Sequence, residues 1–131
     1  FKPYAFDGEW DTFAEIKPNP VEPQETPALD FNLIVRRDHA FGALAVFSPA
    51  ELRQGEFGSH LLRDRSAAAL RVLHYAYQGE AQIGSITLPQ GHAYLWSGHD
   101  SLDLPPIQVS DTACIITTLV GFRKTNQATS V

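Results

Sequence analysis

Apolar and polar residues in this chain alternate in short runs, and no stretch sustains helical spacing. Leu29–Arg37 (LDFNLIVRR) alternates with period two and is rich in β-branched and aromatic residues, which predicts a strand. Phe41–Phe47 (FGALAVF), Arg71–Tyr77 (RVLHYAY), His92–Ser97 (HAYLWS) and Ile107–Val109 predict further strands. Ala81–Leu88 (AQIGSITL) reads as a strand interrupted by Gly84, and Ala113–Arg123 (ACIITTLVGFR) as the longest strand of all. Gln78-Gly79-Glu80 and Pro89-Gln90-Gly91 are turn signals. Only Asp38-His39-Ala40 separates the first two strands, so they are expected to form a hairpin or a bulged continuation.

Short strands spaced by Gly and Pro turns predict an all-β fold, a small β-barrel or a two-sheet β-sandwich. In the longest strand Cys114, Ile116, Val120 and Phe122 share one face, while Ala113, Ile115 and Leu119 share the other. A strand that is apolar on both faces is expected to be covered on both. Residues 1–28 hold five of the nine prolines, so they are expected to be extended edge or loop with at most a short strand near Thr12–Ile16. Phe1, Tyr4, Phe6, Trp10 and Phe13 make that stretch too aromatic for a solvated tether, and it is expected to lie on another surface. Ser48–Phe57 has room for one helical turn, residues 58–69 read as a loop, and residues 124–131 as a frayed tail.

Length and composition then narrow the classes. With 131 residues, 44% hydrophobic and 19% charged, this is one ordinary globular domain. A formal net charge of -5 lacks the electrostatic footprint of a nucleic-acid binder, and no apolar run is long enough to span a membrane. Cys114 is the one cysteine, so no intrachain disulfide and no C-x-x-C motif exist, which fits a reducing compartment. There is no methionine, and residues preceding Phe1 are expected to have been removed or not seen.

Three chemistries have candidates. His39, His60, His74, His92 and His99 supply metal-ligand atoms, but no H-x-H or H-E-x-x-H spacing occurs and no pair lies two apart on a strand. No metal or other cofactor is expected, and a His74/His92/His99 site is the alternative. Cys114 sits inside an apolar strand, and Ser97, His99 and Asp100 are neighbours in sequence without the spacing logic of a triad, so no catalytic residue is assigned. The third candidate is the polar row Asp30, Asn32 and Arg36, which shares one parity with Ile34, while Arg37 falls on the opposite face. Such a row is either a solvent-facing strand with an Asp–Arg pair or the polar wall of a pocket, where Arg36 would offer a forked donor to a carboxylate. Tyr75, Tyr77, Tyr94 and Trp96 recur at period two, lining a cavity or filling the core. The candidate ligand-binding set is therefore Asp30, Asn32, Arg36, Tyr75, Tyr77 and Trp96.

Pro27-Ala28-Leu29-Asp30-Phe31-Asn32-Leu33-Ile34-Val35-Arg36-Arg37 resembles the "GP-x-x-D-F/L-N-L/V-M-x-R-R" segment of the HutD/Ves family. Tyr4-Ala5-Phe6-Asp7-Gly8-Glu9-Trp10 is similar to its "F-x-F-x-G-D" stretch, and Leu88-Pro89-Gln90-Gly91-His92 with Ala93-Tyr94-Leu95-Trp96 to its ending. Ile34 and His92 stand where the family usually has Met and Asp. The resemblance implies a cupin-like β-barrel in a bacterial, cytoplasmic protein without known catalytic activity. It further implies binding of a small polar metabolite, a carboxylate of histidine breakdown such as urocanate or formylglutamate, and a role in governing histidine utilisation or stress responses. The family's N-terminal strand would precede Phe1, so the barrel is expected to be incomplete, with that segment or a second copy of the chain covering an open sheet edge. A cupin enzyme, metal-dependent or otherwise, and a pocketless interaction module are the other readings.

Overall fold

The structure, a computed structural model, describes residues 30–47, 67–99 and 103–124. The readings made for residues 1–28, 48–57, 58–66 and 125–131 lie outside the described residues. Seven strands follow in order: β1 (Ala40–Phe47), β2 (Ala69–Gln78), β3 (Ala81–Ile83), β4 (Ile86–Leu88), β5 (Ala93–Gly98), β6 (Ile107–Val109) and β7 (Cys114–Phe122). The described residues contain no helix, and no helix is long and apolar enough to cross a membrane.

The all-β expectation holds, and the architecture is two antiparallel sheets. The larger has the order β1-β7-β2-β5 and the smaller β4-β3-β6. No ladder among the described residues closes the two into a barrel. β7 lies between β1 and β2 in the sheet and carries buried residues on both faces. Ile115, Thr117 and Leu119 are buried on one face, Ile116 and Thr118 on the other. In β2, Leu70, Val72, His74 and Ala76 all face the same buried side.

That buried side is covered in two places. Ala76 and Ile115 of the large sheet pack with Ala81, Ile83, Leu88 and Val109 of the small one, so the small sheet caps one end of the inner face. At the other end Phe41, Val72 and Leu119 pack with Trp96, Ala67 and Leu104. Between the two clusters, registered neighbours form one row across the sheet: Ala45, Thr117, His74 and Tyr94.

Two sequence expectations are corrected. Ala81–Leu88 is not one strand but a hairpin, β3–β4, pairing Ile83 with Ile86. Gly84 has φ 57° and Ser85 has negative φ, the type II′ pattern that needs glycine at the first central position and reverses the chain. Residues 30–36 join no ladder, and the expected hairpin with Phe41–Phe47 does not form, although the chain does turn at residues 37–39. His39 N and Ala40 N both donate to Arg36 O, at 3.0 and 2.8 Å. The segment's alternation is satisfied by lying across the outer face of the large sheet, so its apolar residues pack on that face instead of pairing beside β1.

Candidate ligand site at one end of the large sheet

The strap formed by residues 30–36 divides its side chains as its period-two pattern requires. Phe31, Leu33 and Val35 turn inward and are half-buried, while Asp30, Asn32, Ile34 and Arg36 are exposed. The Phe31 ring stacks on Tyr75, centroids 5.6 Å apart. Leu33 and Val35 occupy the space above Gly42, where a Cβ would come within 3.0 Å of Leu33 Cδ2 and of Val35 Cγ1. On the outward row Asn32 Nδ2 donates to Asp30 Oδ2 at 2.7 Å. Arg36 pairs with Asp38 at 2.8 Å, not with Asp30 as the strand reading had it, because the turn at 37–39 brings Asp38 beside it. The hydrogen bond from Arg36 holds the Asp38 carboxyl below its usual range.

The aromatic candidates do not converge. Tyr75 and Tyr77 belong to the outer face of β2. Tyr94 and Trp96 belong to the inner face of β5, where each packs against one of the two core clusters. The Trp96 ring lies over Gly98, in space a Cβ would need. The sheet therefore separates Tyr75 and Tyr77 from Trp96, and none of the three adjoins the exposed Asp30–Asn32 pair through a shared cavity that the described residues define.

A different set does converge. Where β1 begins and β7 ends, Val35, Arg37, Ala40, Phe41, Gly42 and Arg123 line an open depression of about 340 Å³. The ladder puts Ala40 opposite Phe122, so the residues just before β1 meet those just after β7. Arg123 N donates to His39 O at 2.8 Å and Arg123 Nε donates to Arg37 O at 2.9 Å. Its guanidinium carbon stands 5.9 Å from the centre of the Phe41 ring, a cation–π distance. Its lining combines the apolar Val35, Ala40 and Phe41 with Arg37 and Arg123, a mixture suited to an anionic head on a compact apolar body.

The whole end of the sheet is cationic. Every Lys and Arg among the described residues gathers there: Arg36 and Arg37 before β1, Arg71 at the start of β2, Arg123 and Lys124 after β7. Arg71 lies 5.8 Å from the Phe122 ring, just across the ladder. Sequence reasoning passed over Arg37 and Arg123. The available signal was the basic pair flanking each of two long strands, but it points to one site only once β1 and β7 are known to be antiparallel neighbours.

The remaining chemistry is dispersed. His74 is 1% exposed and shares a 2.9 Å hydrogen bond with Thr117, and burial pushes its pKa down to about 4. His92 Nδ1 approaches Gln90 O at 3.2 Å in a turn. Among the described residues no three His, Cys, Asp or Glu side chains cluster as a metal site would need, so His74, His92 and His99 do not form one. Cys114 is half-buried on the outer parity of β7. Asp100 lies outside the described residues. No protein-family model matches the chain, and neither a curated protein nor a solved structure matches it.

Proposed function

We propose that this is a HutD/Ves-like, metal-free cupin-type β protein that holds a small carboxylate-bearing metabolite at the cationic end of its large sheet and acts by binding rather than by catalysis. The observation that carries this is Arg123, which lines the depression and sets its guanidinium beside the Phe41 ring. Its Nε–H is committed to Arg37 O, which fixes the plane of the fork. The two Nη groups are then the donors with which the guanidinium takes a carboxylate end-on. The volume of about 340 Å³ sits at the small end of the range for metabolite pockets, roughly 300–1,000 Å³. Val35, Ala40 and Phe41 supply apolar contact for the body of such a ligand. A cytoplasmic role in histidine utilisation or stress response is what the family resemblance adds to this reading.

Calorimetric titration with urocanate and with N-formylglutamate tests it. The wild type should bind at least one of them. Arg123→Gln should lose about tenfold or more, the worth of a hydrogen bond to a charged group. Arg36→Ala should bind like wild type, because Arg36 stands outside the depression and faces solvent beside Asp38. Loss of binding in Arg36→Ala with Arg123→Gln unaffected would place the ligand on the outward Asp30–Asn32–Arg36 row instead. Binding of neither acid by the wild type would refute the carboxylate reading.

A further inference from the structure

We infer that the strap of residues 30–36 is linked to occupancy of the depression, docking on the sheet when the site is filled and loosening when it is empty. The inference rests on the proposed ligand site. It begins from how the strap is held. Among the described residues no backbone hydrogen bond ties residues 30–35 to either sheet. Their attachment among the described residues is through side chains, Phe31 on Tyr75 and Leu33 and Val35 over Gly42. A segment held by a few apolar contacts, without a ladder, belongs to the low-stability end of a fold and opens ahead of the sheets.

The far end of the strap is built into the site. Val35 is both the last apolar contact of the strap and a wall of the depression. The turn that follows is clamped by Arg123 twice, through its backbone N–H to His39 O and its Nε–H to Arg37 O. The side chain that would receive the carboxylate is thus the one that anchors the strap's C-terminal end. An anion on the Nη edge fixes the guanidinium, and with it the Arg37 carbonyl and the position of Val35. Because the ligand then has a different affinity for the docked and loosened states, it shifts the balance between them, and the coupling is reciprocal. Loosening uncovers Tyr75 and the glycine floor at Gly42 on the outer face, so the occupied and empty states present different surfaces.

Limited proteolysis with proteinase K, read by mass spectrometry, with urocanate as the probe (or N-formylglutamate where only that acid binds), tests the linkage. Saturation should slow cleavage within residues 30–36 by at least threefold, with β2 and β7 uncut. Phe31→Ala removes the Tyr75 stack without touching the depression. It should speed cleavage in the strap and weaken binding by threefold or more, with an unaltered circular dichroism spectrum. Leu33→Ala provides a second variant should Phe31→Ala fail to fold. Wild-type binding with unchanged strap cleavage would overturn the linkage and leave the ligand site standing. So would a strap variant that is cleaved fast yet binds like wild type. Absence of binding to either acid overturns both.

Discussion

His74 Nδ1 and Thr117 Oγ1 lie 2.9 Å apart at the centre of the inner face, although the two residues are 43 apart in sequence. The pair sits between the two apolar clusters, with the Tyr94 ring stacked 6.5 Å away on the other side of the imidazole. Burial favours the neutral ring, and its pKa falls from 6.5 to about 4.

Stability should therefore decline on acidification. Between pH 6.5 and about 4 the unfolded chain binds a proton at His74 that the folded chain refuses. The contribution is fully present above pH 6.5 and disappears as pH falls towards 4, amounting to on the order of 3 kcal/mol. Urea unfolding at pH 7.5 and pH 5 should show the drop, and His74→Gln should flatten it. An equal drop in the variant would assign the pH dependence to other groups.

The Phe41 ring covers Gly121, filling the space a Cβ would take. Gly121→Ala should destabilise by about 1–3 kcal/mol through overpacking. In the Phe41→Leu background the same substitution should cost less, since the two residues are directly opposed across β1 and β7. Melting temperatures of the four proteins of this cycle give the coupling, and strict additivity would refute the clash.

Ile83 is 2% exposed and joins the small sheet to Ala76 and Ile115 of the large one. Ile83→Ala should cost about 2–5 kcal/mol, because a β-branched side chain is removed from a packed inter-sheet core. Ile86, its registered partner in the hairpin, is 49% exposed. Ile86→Ala should move the urea midpoint far less, because Ile86 stands on the edge strand β4 of the same face, and equal effects would mean the packing against the large sheet extends to that edge.

Asp38→Asn removes the partner of Arg36 in an ion pair whose side chains are 75% and 56% exposed. Solvent screens such a pair, and the urea midpoint should not change measurably at moderate salt. A clear loss of stability would show that the pair organises the turn at 37–39.

The strand positions were legible in the sequence because each is a short β-branched or aromatic run closed by a turn residue. Phe41–Phe47, Arg71–Tyr77, His92–Ser97, Ile107–Val109 and Ala113–Arg123 reappear as β1, β2, β5, β6 and β7 within a residue or two. The coverage of β7 on both faces was legible too, since apolar residues at both parities have no other stable placement. What the residues could not decide was what each period-two segment pairs with. Asp30–Arg36 carries the same alternation as a strand, yet it lies across a sheet face, because side-chain parity records burial and is silent about backbone hydrogen bonds. The same limit applies to the site. Arg37 and Arg123 are 86 residues apart, and only the antiparallel pairing of β1 with β7 brings the Arg123 side chain onto the Arg37 carbonyl. Local pattern determined the elements of this protein; their long-range register alone determined which side chains share a cavity.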